Sequence, residues 1–228
     1  MRLLVVNPNT TAAMTAAVGR AARGVAAPGT VVEAVNPALG PASIEGFYDE
    51  ALAVPGMLAE IRAGEARGAD AAIIACFDDT GLDAARSLAS IPVVGLCEAA
   101  LALAGMVAAR ISIVTSMPAA IVPLEGLVHR YGFGARARVH ASGIPVLALE
   151  EPEARPRLEA AIREALRADR GEAVVLGCAG MAELARDLTA TFGLPVIDGV
   201  SAAVKQAEAL VALGLRTSKT GAYAPPRL

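Results

Sequence analysis

An internal repeat is the sequence feature that most constrains the fold of this chain. Three short apolar segments recur in the same order in its two halves, and partner segments lie roughly 105 residues apart. The paired segments are Leu3 to Thr10 with Ile111 to Pro118, Ile73 to Phe77 with Val175 to Ala179, and Ile91 to Gly95 with Leu194 to Asp198. Such self-similarity predicts two similar structural units that face one another.

Val/Ile-rich runs alternate with Ala-rich stretches, which is typical of βαβ units and predicts an α/β fold with parallel sheets. The predicted strands are Leu3–Val6, Val31–Val35, Ala71–Ala75 and Pro92–Leu96 in one half, and Ile111–Thr115, Ala137–Ser142, Ala173–Gly177 and Pro195–Asp198 in the other. The predicted helices include Met14–Val25, Pro55–Arg67, Arg157–Ala168 and Ser201–Leu213. We expect the last helix to cross back, so that residues 1–96 with 208–228 form one domain and residues 97–207 the other.

Composition excludes several classes of protein. Hydrophobic residues make up 55% of the chain and mean hydropathy is +0.52, yet the longest apolar run, Ala99 to Ala109, is too short to span a membrane. The start of the chain lacks the apolar stretch of a signal peptide, so we expect a cytoplasmic protein without membrane partners. The net charge of −3 and the lack of a basic tract argue against nucleic acid as a partner.

The three cysteines are expected to be free thiols, because their number is odd and no secretion signal is present. Their spacing, with only two histidines, predicts no metal site. Cys76 and Cys178 end equivalent strands of the repeat, so both are expected at the cleft beyond the carboxyl ends of the sheets. Cys97 has no counterpart, and a packing role is preferred for it.

A helix is predicted to start just after each of these two cysteines, and the Thr80–Asp83 segment has a capping-box pattern. A helix N-terminus favours the thiolate, so the sequence predicts lowered thiol pKa values. Two thiols facing one cleft suit the inversion of a carbon acid by two bases, in which one thiolate removes a proton and the opposite thiol delivers one. Backbone N–H groups would stabilise the enolate without a metal or cofactor.

The sequence resembles the hydantoin racemase family, allantoin racemases included, within the aspartate/glutamate racemase superfamily. The matching stretches lie at 6–10, 40–50, 74–79, 175–181, 195–200 and 217–223, and the pairing of CFDD at 76–79 with GCAGM at 177–181 is the most specific. The resemblance implies two flavodoxin-like halves related by a pseudo-twofold, with the active site between them. It also implies cofactor-independent racemisation of 5-substituted hydantoins by Cys76 and Cys178, in a homo-oligomer.

Substrate contacts are expected from residues next to the predicted strand ends. The hydantoin ring would be held by Asn9, Asp78, Thr115, Ser116 and backbone amides, including those around Phe77, Ala179 and Gly180. The loop with Ser43, Ile44 and Phe47 would cover the 5-substituent, or would simply pack on its own domain. Asp78 and Asp79 are equally compatible with helix capping.

Two alternatives remain open. The protein could be an amino-acid racemase, or a decarboxylase or isomerase of the same superfamily. The amino-acid racemases typically carry polar residues after each cysteine, however, where this chain has Phe77 and Asp78, and Ala179 and Gly180. In the other class, two low-pKa thiols would form a reversible disulfide in a ligand or redox sensor.

Overall fold

Two four-stranded parallel sheets form the framework of the computed structural model, which describes residues 1–149 and 151–226. The first sheet has the order β2-β1-β3-β4 and the second the order β6-β5-β7-β8. The strands are β1 (Arg2–Val6), β2 (Val31–Val35), β3 (Ala71–Ile74), β4 (Val93–Gly95), β5 (Ile111–Thr115), β6 (Ala137–Ala141), β7 (Ala173–Gly177) and β8 (Val196–Asp198). The identical strand order confirms the predicted α/β fold with two similar halves.

Helices cover both faces of each sheet, as parallel sheets require. They are α1 (Ala12–Val25), α2 (Phe47–Ala66), α3 (Leu82–Leu88), α4 (Leu96–Val107), α5 (Ile121–Arg130), α6 (Ala154–Asp169), α7 (Ala185–Phe192) and α8 (Gly199–Ala212). The central strands β1, β3, β5 and β7 are almost wholly buried, which explains their continuous Val, Ile, Leu and Ala content. No helix within residues 1–149 and 151–226 is long and apolar enough to cross a membrane.

The predicted start of the second helix at Pro55 is wrong, because α2 begins at Phe47. Proline in a helix interior removes the hydrogen bond to the carbonyl four residues earlier. Here that carbonyl belongs to Ala51, and both Ala51 and Pro55 are solvent-exposed, so water can satisfy it. The helix therefore continues through the proline.

Two helices exchange between the halves. Helix α4 follows β4 of the first sheet but packs against β7 and β8 of the second, and α8 follows β8 but packs against β3 and β4 of the first. The two helices also pack on each other, and a Cβ at Gly199 would lie 2.7 Å from the Leu96 Cβ. One hydrophobic core runs through this seam and joins the halves. The domain limits of 1–96 with 208–228 and 97–207 stay a prediction.

Candidate active site

A narrow cleft with a cavity volume of about 30 Å³, open to solvent, lies between the carboxyl ends of the central strands of the two sheets. It is lined by Asn7, Pro8, Asn9, Met14, Ile44, Ala75, Cys76, Phe77 and Asp78 from the first half and by Thr115, Ser116, Ala120, Val146, Gly177, Cys178 and Ala179 from the second. Both halves therefore contribute equivalent strand ends to one site.

The structure brings most of the predicted site residues to this cleft. Those lining it are Cys76, Cys178, Asn9, Ile44, Phe77, Asp78, Thr115, Ser116 and Ala179. Three other predicted residues are not among the described residues that line the cleft. Phe47 is 66% exposed at the start of α2, Ser43 lies in the preceding loop, and Gly180 lies one residue beyond the cleft.

Hydrogen bonds hold the loop after β1 in place. The Asn7 amide donates to Asn9 Oδ1 at 2.8 Å and to Thr15 Oγ1 at 3.0 Å, while Asn9 Oδ1 also accepts from the Thr11 N–H at 2.9 Å. In the second half, Thr115 Oγ1 donates to the Gly177 carbonyl at 3.0 Å. These buried bonds fix the polar side of the cleft before a ligand arrives.

The two cysteines occupy matching environments. Each is half-buried, and the backbone N–H two residues later, that of Asp78 for Cys76 and that of Gly180 for Cys178, lies near the sulfur and lowers the pKa of the thiol. Gly180 thus serves Cys178 through its backbone, although it lies outside the cleft lining. The thiols are also close enough for the charge of Cys178 to raise the pKa of Cys76.

The expectation of lowered thiol pKa values is wrong. Burial raises the pKa of Cys178 to about 12 and that of Cys76 well above its usual value, and the Asp78 carboxylate raises both further. The backbone N–H bonds act in the opposite direction and are outweighed. Both thiols are therefore protonated at neutral pH.

The predicted helix starts are correct in one half and wrong in the other. A 3-10 helix, Ala179–Leu184, begins directly after Cys178, whereas α3 begins only at Leu82, after Gly81 in the left-handed region (φ 64°). The thiol pKa is raised in both halves, so burial decides it and not the helix start. The capping box is also wrong, because no side chain caps α3. The buried Thr80 hydroxyl instead lies beside Cys76, where it lowers the pKa of the thiol, and it bonds to no nitrogen or oxygen of the described residues.

Asp79 is a helix cap, but for a helix elsewhere in the chain. Its buried carboxylate accepts hydrogen bonds at 3.0 Å from the N–H groups of Cys97 and Glu98 in the first turn of α4. It also accepts at 2.7 Å from the hydroxyl of Tyr131, which follows α5 in the second half. A Cβ at Gly95 would lie 2.3 Å from the carboxylate, so this position excludes a side chain. Sequence reasoning missed Gly95 and Tyr131 because the contacts are distant in sequence.

Asp78 has the opposite role from its neighbour, since its side chain faces the cleft. Burial and the nearby Glu50 and Asp79 carboxyls raise its pKa to about 7. Its charge raises the pKa of both cysteines. Asp78 is thus an acid that titrates near neutral pH beside two thiols.

Other cleft residues were missed by sequence reasoning. Met14, Ala120 and Val146 add apolar surface, and their positions outside strand ends give no sequence signal. Val146 is held through its N–H, which donates at 3.1 Å to Glu45 Oε1 across the cleft. Cys97 has no exposed surface and lies in the core shared by the halves, which confirms the preferred packing role.

The fold and cleft define a class of α/β enzyme in which two similar halves share one active site. The chain belongs to the Asp/Glu/Hydantoin racemase family, whose model matches residues 3–207, and it is therefore a racemase. It is 51% identical to a hydantoin racemase of Rhizobium meliloti, over 100% of this chain and 96% of that protein.

Two solved structures are similar over their whole length. An allantoin racemase from Klebsiella pneumoniae is 51% identical, with a TM-score of 0.97 over 100% of this chain and 94% of the other. An allantoin racemase from Pseudomonas fluorescens is 40% identical, with a TM-score of 0.94 over 100% and 98% of the two chains. The family named from the sequence motifs is confirmed.

Proposed function

We propose that this protein racemises 5-substituted hydantoins, allantoin among them, at C5, without a cofactor, by proton transfer between Cys76 and Cys178. The observation that carries this proposal is the pair of thiols, one from the same position of each half, at a single cleft. The names of the similar proteins, hydantoin racemase and allantoin racemase, support the substrate class.

The mechanism starts when one thiol is ionised. The thiolate removes the C5 proton from one face of the ring, and the opposite thiol gives its proton to the other face. The raised thiol pKa values make the thiolate scarce at neutral pH, but they also make it a stronger base for a carbon acid. Between the two steps, the hydrogen-bond donors around the cleft stabilise the enolate oxygen.

The cleft chemistry favours a hydantoin over a free amino acid. The polar side offers the neutral groups of Asn9, Thr115 and Ser116, which suit ring N–H and C=O groups. Ala179 and Gly180 provide no polar side chain for an α-carboxylate. Met14, Ile44 and Val146 form an apolar wall for the 5-substituent.

The redox-sensor alternative is less compatible with the site. A sensor cysteine needs a low pKa, whereas burial raises the pKa of both thiols here. Membership of a racemase family also favours an enzyme.

Polarimetry tests the substrate class. The purified protein in metal-free buffer is given single enantiomers of several 5-substituted hydantoins, allantoin, aspartate and glutamate. We expect the rotation to decay to zero for hydantoins and to persist for the amino acids. Stable rotation for every hydantoin would overturn the proposal.

Cysteine substitutions test the two-base chemistry. Cys76→Ala and Cys178→Ala are each expected to stop racemisation of both enantiomers, with losses of about 10²-fold or more, since inversion needs both groups. The remaining thiol can still exchange the C5 proton of one enantiomer, so in D₂O the two variants should label opposite enantiomers. Cys97→Ala is the matched control and should racemise like the parent. A single variant with parental racemisation would exclude the two-base assignment.

We also propose that the enzyme acts in the cytoplasm, as expected from a start without the apolar stretch of a signal peptide, and that it is a homo-oligomer, as the family resemblance implies. Large exposed side chains at the start of α2 support a homo-oligomer, because apolar surface of this kind often marks a contact between subunits. They are Phe47, Tyr48 and Leu52, which are 66%, 76% and 49% exposed. Light scattering is expected to give a mass that is a multiple of 23.0 kDa, and Tyr48→Glu should lower it. A monomeric mass for the parent would contradict an oligomer.

A further inference from the structure

A second cavity also has Asp78 in its lining. It is lined by Glu50, by residues 78–84, and by Leu127, Arg130 and Tyr131, and it opens to solvent with a volume of about 240 Å³. That space is ample for water molecules. Asp78 lines both the cleft that holds the thiols and this cavity, and among the described residues it is the one that the two linings share.

Glu50 is the other carboxyl group at this boundary. Its Oε1 atom is buried and has no hydrogen-bond partner among the described residues, although the side chain lies in an otherwise exposed stretch of α2. Burial and Asp49 raise the pKa of Glu50, and the charge of Glu50 in turn raises the pKa of Asp78. Two carboxyls that disfavour each other's ionisation can hold and pass a proton near neutral pH.

The charged groups next to Asp78 and Glu50 are paired with other residues. Arg130, on the wall of the second cavity, pairs with Asp83. Asp79, the other acid next to Asp78, is engaged by α4 and Tyr131. The remaining ionisable groups that act on Asp78 or are acted on by it are the cysteine thiols.

A two-thiol racemase needs a route for protons. After one inversion, the thiol that gave its proton is a thiolate and the opposite thiol holds the proton from the substrate. Before the same enantiomer can react again, one proton must leave and another must arrive. A ligand in the cleft would compete with water for its open side, so a second route to solvent would let the thiols exchange protons while a ligand is bound.

We infer that Asp78 and Glu50 form a proton relay that connects the cysteine thiols with water in the second cavity. In the outward direction, a thiol S–H bond breaks as an Asp78 O–H bond forms, Asp78 passes this proton to Glu50, and Glu50 passes it to water. The reverse sequence protonates the opposite thiolate. Only protons are transferred, and each proton given to water is matched by one taken from water, so no other reactant is required. The inference rests on the proposed two-cysteine function.

Glu50→Gln tests the relay, because an amide of the same size cannot accept and release the acidic proton. A single hydantoin enantiomer is converted in D₂O, and NMR measures the protium fraction at C5 of the product over a range of substrate concentrations. The parent enzyme is expected to form almost fully deuterated product, since its thiols exchange with solvent between turnovers. Glu50→Gln should retain substrate protium on the thiols and give a several-fold higher protium fraction, which rises with substrate concentration.

Three further variants complete the experiment. Asp49→Asn removes the neighbouring charge but no carboxyl of the cavity, and Glu50→Asp keeps a carboxyl group, so both should form deuterated product. Ala84→Phe, at an exposed position of α3 on the cavity wall, fills the cavity and should retain protium even if Glu50→Gln does not fold.

Two failures can be told apart. Fully deuterated product from Glu50→Gln, or from Ala84→Phe where Glu50→Gln is unfolded, would overturn the relay and leave the proposed function intact. A parent enzyme that racemises no hydantoin would overturn both.

Discussion

Asp78 lies beside both cysteines with its pKa raised to about 7, whereas the thiols themselves titrate far higher. When this group of acids loses one proton, the charge therefore rests mainly on Asp78 and, for a small fraction of molecules, on a thiol. That fraction is constant once Asp78 has titrated. The pH dependence of racemisation should then report Asp78 and not a free thiol.

We expect kcat/KM to rise with pH up to about 7 and then to level off, because the form that has lost one proton is the active one. In Asp78→Asn the thiols ionise on their own, so kcat/KM should keep rising well above pH 7 instead of levelling off there. Initial rates from pH 5 to 10 check this. Asp187→Asn, an exposed acid that lines neither the cleft nor the cavity beside Glu50, is the control, and an unchanged inflection in Asp78→Asn would contradict the assignment.

Ile44 sets the size of the apolar wall. It is 8% exposed and lines the cleft. Ile44→Ala should raise the ratio of kcat/KM for a 5-benzyl over a 5-methyl hydantoin by about tenfold, the scale typical of a change of a few carbon atoms in a pocket. Leu39→Ala, in the same loop but 85% exposed, should leave the ratio unchanged. An equal ratio in both variants would mean that the substituent lies elsewhere.

For single residues, the sequence predicts where a side chain lies better than it predicts the pKa of that side chain. Cys76 and Cys178 could be located because buried Val/Ile strands end just before them, and strand ends of parallel sheets meet at one edge. Their pKa values could not be predicted, because burial and the charge of Asp78 outweigh nearby N–H groups. These terms depend on the whole surroundings and not on local sequence.

The first turn of α4 is capped by the carboxylate of Asp79, which lies in the turn before α3. Asp79→Ala would leave the N–H groups of Cys97 and Glu98 and the hydroxyl of Tyr131 without their acceptor. We expect the free energy of unfolding to fall by at least about 2 kcal/mol, measured in urea. Asp187→Ala, an exposed acid paired with Arg155, should change it by less than about 0.5 kcal/mol. If Asp79→Ala lowers the free energy of unfolding no more than the control does, the cap does not stabilise the fold.

The same cap gives stability a pH dependence of known sign. Burial raises the pKa of Asp79 to about 6 in the folded protein, above its ordinary value of 3.8, so the folded state holds the proton more tightly. This contribution is therefore largest below about pH 4 and is lost as the pH rises through 6. Relative to Asp79→Ala, the parent should lose up to about 3 kcal/mol between pH 4 and 7. A difference that grows with pH would contradict this sign.

The strands of the repeat and the starts of α1 and α8 were predicted within one or two residues, but the starts of α2 and α3 were not. Strand positions follow from compact Val/Ile runs, which have few alternative structures in a parallel sheet. The start of α2 at Phe47 and the delayed start of α3 at Leu82 depend on solvent access at Pro55 and on the turn through Gly81. Neither is visible in a local residue pattern.

For the whole molecule, the exchange of α4 and α8 between the halves predicts a single unfolding transition. Gly199→Ala would place a Cβ 2.7 Å from Leu96 in this seam, so it should lower the free energy of unfolding by about 1–3 kcal/mol. Hydrogen exchange should accelerate in β3 and β7 alike. Gly126→Ala, a helix position with open space around it, should stabilise slightly instead. Faster exchange in one sheet alone would indicate separately folding domains.

The two halves share one strand order, yet the walls beside the thiols differ, with Phe77 and Asp78 on one side and Ala179 and Gly180 on the other. Mirror-image substrates have equal free energies in water, so detailed balance requires the same kcat/KM in both directions. An asymmetric cleft can still hold one enantiomer more tightly. For the enantiomer that is held more tightly, KM must then be lower and kcat must be lower by the same factor. The ratio of the two KM values therefore measures how differently the two walls of the cleft treat the enantiomers.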